Sequence, residues 1–337
     1  MIPVKFIRTV FFTENGENLA QRLFENIKEY RPEYRKKEDS LEKWVGESFE
    51  MHLPILFIGA TGIAVRQIAP FIQNKLLDSP VVVIDELGRF VIPVLSGHYG
   101  GGNQLAAMLS EAIGATAVIT TATDLNGAFA VDVFARDNGL WIFNKDRIKS
   151  VSSKALKGEM VNYFCDAEGT SFEGNVPQIL QQAKDCDFVI TDNPVNTEIL
   201  TLIPKRMILG MGCKKGKSFM ELKSFVLGNY DEADLRNQLY AICSIDAKAE
   251  EEGLIKLAQY LGCKYITFSA GELESVLGDF DESDFVKKTV GVSNVCERAA
   301  ICGAGEGSEL IRKKTALDGM TLAEARRKKV RIIWQEK

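Results

Sequence analysis

Short runs of Val, Ile, Leu and Phe recur along the whole chain, and between them apolar residues fall at three- and four-residue spacings. Runs of that length bounded by turn residues read as buried strands, and the wider spacing reads as helices packed on them. The pattern predicts strands at 4–12, 55–58, 81–85, 117–120, 188–191, 206–210, 241–245 and 265–268. It predicts helices at 103–113, 127–137, 219–227, 250–261 and 295–302. The run 90–94, soon after 81–85 across Glu86-Leu87-Gly88-Arg89, predicts a local hairpin. Strands of this composition alternating with helices imply an α/β protein of several domains, with mostly parallel sheets flanked by helices on both faces. The charged segment 31–50 around Trp44 reads as a helix or a surface excursion. Polar stretches near 144–157 and 193–205 set the expected boundaries: an N-terminal α/β domain at 1–144, a middle α/β segment at 145–204 and a separate C-terminal α/β domain at 205–337.

Composition narrows the classes. The 337 residues are 46% hydrophobic and 26% charged, and 41 basic against 46 acidic residues give a net charge of −5. That balance argues against a general nucleic-acid binder. Charge, Gly and Pro interrupt every apolar run, and the first residues read as a strand rather than a signal peptide, so the expectation is a cytoplasmic protein without a membrane partner. Cys165, Cys186, Cys213, Cys243, Cys263, Cys296 and Cys302 are scattered singly, and the only histidines are His52 and His98. Reduced thiols and no metal site are therefore expected.

The densest candidate chemistry is Leu95-Ser96-Gly97-His98-Tyr99-Gly100-Gly101-Gly102-Asn103, between a strand and a helix. Glycines let backbone N–H groups approach a ligand, a helix start favours negative charge, and imidazole titrates near neutral pH. His98 is thus a candidate catalytic base, while Ser96, Gly97, Gly100, Gly101, Gly102 and Asn103 are candidate substrate contacts. Ser96 lacks the Gly-x-Ser-x-Gly elbow of a hydrolase nucleophile. Thr120, Thr121, Thr123 and Asp124 then follow an apolar run, at the edge where open α/β sheets bind ligands. A helix cap at Asp124 or Asn126 is the structural alternative.

Farther on, Gly210-Met211-Gly212-Cys213-Lys214-Lys215-Gly216-Lys217-Ser218 joins a strand to a helix but misses the phosphate-loop spacing, with Met211 where glycine is required. What it offers is a tight turn presenting Gly212, Cys213, Lys214, Lys215 and Gly216 to an anion, or else a solvated lysine cluster. A nearby helix start and lysines would favour the Cys213 thiolate, but no histidine lies near it in sequence to make it a nucleophile. Asp246 and Lys248 occupy another strand-to-helix turn, as a cap and a partner for Glu252, or as carboxylate-holding groups. Asn294 and Glu297 stand near capping-box spacing, and Glu297 is also an acid–base candidate.

In series these residues are recognisable. The run Ser96 to Ala106 and Ile119-Thr120-Thr121-Ala122-Thr123-Asp124 resemble the hallmark segments of the cobalamin biosynthesis protein CbiG family. Gly210 to Gly216, Asp246-x-Lys248-x-Glu250 and Val295-Cys296-Glu297-x-Ala299-Ala300 resemble that family's C-terminal domain, in the same order. Lys214 stands where arginine is expected, keeping charge but losing bidentate geometry. The resemblance implies cobalt-precorrin-5A hydrolase of the anaerobic vitamin B12 route, acting on a polycarboxylated macrocycle. Water opens its ring A lactone and acetaldehyde leaves, giving cobalt-precorrin-5B. It implies no protein-held cofactor, since the substrate carries the cobalt. His98 would activate water, the amides of Gly100, Gly101 and Gly102 would hold the oxyanion, and Lys214, Lys215 and Lys248 would hold carboxylates. Asp124 or Glu297 would handle the alcohol proton. A homodimer and transient contact with other corrin-pathway enzymes are further partners to test. The rival readings are a non-catalytic corrinoid-binding or escort protein and a nucleotide-binding enzyme using the loop from Gly212 to Ser218.

Overall fold

The computed structural model describes residues 4–74, 77–194, 198–281 and 291–334. Two compact units divide the chain, Val4–Asn126 and Gly127–Lys337, the latter grouped with Met1–Pro3. No helix of the described residues is long and apolar enough to cross a membrane.

The N-terminal unit runs β1 (Lys5–Phe11), α1 (Glu14–Asn26), β2 (Tyr30–Tyr34), α2 (Leu41–Glu50), β3 (Ile55–Ile58), α3 (Thr61–Ile68), β4 (Val81–Ile84), β5 (Phe90–Leu95), α4 (Gly102–Ile113), β6 (Thr116–Ala117) and α5 (Ala122–Leu125). Its six-stranded sheet has the order β2-β1-β3-β4-β5-β6. Every residue of β3 and β4 is buried, as expected where helices cover both faces. Alternation then sorts the side chains. Leu56, Ile58, Val82 and Ile84 meet Leu19 and Leu23 of α1 and Leu105 and Leu109 of α4. Ile55, Phe57, Val81 and Val83 meet Trp44 and Val45 of α2 and Ala64 and Ile68 of α3.

The expected hairpin is present, since β5 pairs antiparallel with β4. Because Val81 faces Leu95, the carboxy end of β5 lies beside the amino end of β4. β6 runs parallel to β5, so both strands release their following loops at one sheet edge. The strand expected at 117–120 shrinks to Thr116–Ala117: it is an edge strand paired on one side, and the chain beyond turns into the site. The charged segment 31–50 supplies edge strand β2 and then α2, whose Trp44 is buried beneath the Arg8 guanidinium, 4.5 Å from the ring.

The C-terminal unit contains two larger sheets. The first lies in the stretch α6 (Val131–Asp137), β7 (Leu140–Ile142), α7 (Ile148–Leu156), β8 (Val161–Cys165), β9 (Thr170–Glu173), β10 (Leu180–Gln182), β11 (Phe188–Ile190) and β12 (Leu200–Pro204), all of whose strands except β9 join it. Its strand order is β10-β8-β11-β12-β7, parallel except for β7. Two expectations shift here. β7 brings residues before 144 into this layer, and a buried strand replaces the polar connection expected up to Pro204. Leu200 and Leu202 of β12 are core residues, and Pro204 closes the strand where a missing donor does least harm.

The second sheet comprises β13 (Met207–Cys213), α8 (Phe219–Leu227), α9 (Glu232–Gln238), β14 (Leu239–Ile245), α10 (Glu252–Leu261), β15 (Lys264–Phe268), α11 (Ala270–Glu274), α12 (Val295–Ala304), β16 (Glu309–Leu317) and β17 (Met320–Arg326). Its order is β15-β14-β13-β17-β16, with β13 to β15 parallel. Helix α12 lies so close to β13 that a Cβ on Gly210 would stand 1.8 Å from the Cys296 carbonyl oxygen. The final strand, β18 (Val330–Ile333), lies outside this sheet and pairs in parallel with β9 as a separate two-stranded sheet. Trp334 then stacks against Phe134 at 4.8 Å and Phe172 at 5.4 Å. The expected C-terminal domain at 205–337 therefore lends its last strand to the middle layer. Arg206 pins the junction: Nε and Nη2 donate to Asp192 at 2.6 and 2.8 Å, and further N–H groups reach the carbonyls of Glu168, Arg327 and Lys328.

Candidate functional site

The adjacency of β5 and β6 brings together two corners separated in sequence. His98, in the β5–α4 loop, sets Nδ1 3.1 Å from Asp124 Oδ2. A carboxylate can only accept, so Nδ1 carries the proton and Nε2 of the neutral ring keeps its lone pair. The Thr123 hydroxyl lies 3.3 Å from Nε2. Asn103, buried at the start of α4, donates from Nδ2 to Asp124 Oδ2 at 2.7 Å and to Thr121 Oγ1 at 2.9 Å. Asp124 caps no helix. It sits inside α5, with Thr121 at the N-cap position and Asn126 closing the other end, so its carboxylate is left for the imidazole and Asn103. The imidazole is 19% exposed and the Asp124 side chain 36%, so the pair is reachable from solvent. Thr120 is exposed on the same turn.

The glycines are required by packing more than by ligand approach. A Cβ on Gly97 would meet Asn103 Oδ1 at 2.4 Å, and one on Gly100 would meet Ser96 Cβ at 2.6 Å. The expectation that three glycine amides face the oxyanion is corrected. Gly101 donates to the His98 carbonyl, Gly102 to that of Ser96 and Asn103 to that of Gly97. Those bonds fold the loop and occupy the first amides of α4, leaving the Gly100 amide with no partner among the described residues. Ser96 has a positive φ of 51° and a buried hydroxyl without a partner among the described residues, strain of the kind that gathers at functional loops.

In the C-terminal unit, β13 and β14 are parallel neighbours, so the turns holding residues 212–216 and 246–248 leave one edge together. Glu251, which the sequence reading passed over, joins them. Its Oε1 accepts the Gly216 amide at 2.8 Å and its Oε2 the Lys248 ammonium at 2.7 Å. Lys248 thus pairs at i+3 with Glu251 and not with Glu252, since Asp246–Lys248 form a short 3-10 turn and α10 begins only at Glu252. Asp246 is exposed and makes no side-chain cap. Lys214 and Lys215 are exposed, the stem of Lys214 running close beside Gly319.

The electrostatics speak against two alternatives that the sequence had left open. Burial pushes the Cys213 thiol up to about 11, and the attraction of Lys248 is offset by Glu251. Cys213 is therefore no activated thiolate. Lys217 donates to Glu221 at 2.7 Å, and Ser218 and Glu221 close the start of α8 as a capping box. With Lys217 and Ser218 on it, the Glu221 carboxyl falls to about 2, so Lys217 and the Ser218 amide are already engaged by a carboxylate of the chain itself. Glu297, finally, is wholly buried. It accepts from the Asp281 amide, the Asn294 side chain and the Lys314 amide, at 3.1, 2.8 and 2.7 Å. Such a saturated carboxylate ties α12 to its neighbours and has no surface on which to act as an acid–base group.

Residues 43–124 match the family model for the cobalamin synthesis G N-terminal region, and residues 207–325 match that for its C-terminus. The first span holds the His98 cluster and the second the Lys248 cluster. A Salmonella typhimurium protein named cobalt-precorrin-5A hydrolase is 36% identical over 269 residues, 75% of this chain and 77% of its own length. A protein of the same name from Priestia megaterium is 30% identical over 343 residues, 91% of each. Among solved structures, a cobalamin biosynthesis protein G homologue from Sulfolobus solfataricus is 21% identical, with a TM-score of 0.43 over 96% of this chain and 98% of its own. With both halves matched in order and full-length relatives at this identity, the chain belongs to the CbiG family of cobalamin biosynthesis.

Proposed function

We propose that this protein is a cobalt-precorrin-5A hydrolase, opening the ring A lactone of its macrocycle and releasing acetaldehyde. The observation that carries the reading is the His98–Asp124 pair, an oriented imidazole on a glycine-lined loop at a sheet edge. Lactone opening needs a base for the attacking hydroxyl and a donor for the oxyanion. His98 Nε2 supplies the first and the Gly100 amide the second. Opening frees the alcohol at the meso carbon C20, and a retro-aldol cleavage then expels the two-carbon fragment, with Asp124 and His98 passing the alcohol proton. The cobalt stays in the substrate, and these steps draw on no cofactor held by the protein. In the C-terminal unit, exposed Lys214 and Lys215 suit peripheral carboxylates of a polyanion, whereas Lys248 is committed to Glu251.

The test is incubation with cobalt-precorrin-5A while trapping the volatile aldehyde. Acetaldehyde should appear with turnover, and His98→Ala should lower the rate by about 10²–10⁴-fold, the usual reach of general-base catalysis. Tight binding without aldehyde would turn the reading to a non-catalytic corrinoid-binding protein, and near-normal turnover of the variant would remove His98 from the mechanism.

A further inference from the structure

We infer that Thr123 is the nucleophile, so that the lactone opens through an ester on the enzyme rather than by direct attack of water. The inference rests on the lactone reading above. His98 has two ring nitrogens. Nδ1 is committed to Asp124, which leaves Nε2 as the base, and the oxygen facing Nε2 is Thr123 Oγ1 at 3.3 Å. The proton that His98 is placed to take is therefore the threonine's. A nucleophile in reach of a base, itself oriented by a third group, is the signature of covalent acyl transfer, and such contacts are often loose without substrate.

The ordinary structural duties of a threonine are filled by others here. Thr121, and not Thr123, holds the N-cap position of α5 and accepts from Asn103. The Thr123 hydroxyl has one hydrogen-bond partner among the described residues, the imidazole. Although Thr123 is only 8% exposed, the imidazole beside it is open to solvent, so a carbonyl would enter alongside His98. Asn103, donating to both Asp124 and Thr121, holds the assembly in register.

The chemistry balances without a further reactant. Thr123 Oγ1 attacks the lactone carbonyl and its proton passes to His98 Nε2. The ring C–O bond breaks, the departing alkoxide takes that proton, and the acetate is left as a threonyl ester. Water then attacks the ester, giving one proton to Nε2, and Thr123 Oγ1 leaves with that proton; the acid released loses water's second proton to solvent and departs as the carboxylate.

The full chain, treated with a simple β-lactone and digested, should carry one intact lactone mass on the Thr123 peptide. That adduct should vanish in Thr123→Val, survive in Thr123→Ser, and form at least tenfold more slowly in His98→Ala. With cobalt-precorrin-5A, Thr123→Val should release acetaldehyde at least 100-fold more slowly than the wild type, and Thr123→Ser within tenfold of it. Turnover of Thr123→Val within threefold of the wild type overturns the inference and leaves the proposed reaction standing. An adduct on Thr123 that depends on His98, in a protein releasing no acetaldehyde, upholds the nucleophile and overturns the substrate.

Discussion

Cys213 shows how one neighbourhood can reverse a local rule. Two lysines and a helix start would ordinarily favour the thiolate, but burial dominates and Glu251 opposes the pull of Lys248, so the thiol is pushed up to about 11. Iodoacetamide labelling of the Cys213 peptide should be slow at pH 7.5 and climb about tenfold per pH unit until it levels near pH 11. A plateau near pH 7 would contradict the placement. The sign for stability follows. Between the ordinary value of 9.0 and about 11 the folded chain keeps a proton that the unfolded chain has lost, so stability present below pH 9 is lost as pH rises through 11. His98 and Asp124 were each legible as candidates, because glycine-rich and threonine-rich corners after apolar strands carry polar groups to a sheet edge. Their pairing was not legible. It spans 26 residues and depends on β5 and β6 lying side by side. The role of Glu297 was equally hidden, since its partners come from residues 281, 294 and 314.

Among the elements, those with an unbroken apolar run or a clean apolar face were easiest to read. Ile55–Ile58 and Phe219–Leu227 have the bounds that their patterns predict, because an uninterrupted apolar run or a clean amphipathic turn leaves no choice. Strands that depend on distant partners were lost. Leu200–Pro204 was masked by its flanking prolines, and Thr116–Ala117 is shortened by having a neighbour on one side only. Contact between α12 and β13 gives a sharper test of element packing. Gly210→Ala forces a Cβ onto the Cys296 carbonyl, so strand and helix have to separate. Overpacking of that kind costs about 1–3 kcal/mol, readable as a lower urea midpoint with an unchanged slope. A variant as stable as the wild type would show that α12 moves away freely.

Across the molecule, the two clusters fall in different compact units and obey one rule, since each is built where neighbouring parallel strands end at the same edge. The boundaries were less legible than the corners, because β18 joins β9 from 160 residues away, the offset of their Val330–Thr170 pairing. Trp334 is the anchor of that return, sandwiched by Phe134 and Phe172. Trp334→Ala should cost about 3–5 kcal/mol and raise amide exchange across Thr170–Glu173 before it touches the His98 unit. Equal loss of protection in both units would show that they do not unfold separately. The same strand imposes an order on biosynthesis. While a nascent chain is still being extended, the aromatic layer lacks the piece that closes it, and β9, which pairs among the described residues with β18 alone, waits without a strand partner until residues 330–334 clear the ribosome. A nascent chain stalled before these residues emerge should therefore expose this layer, and not the first sheet, to chaperones and proteases.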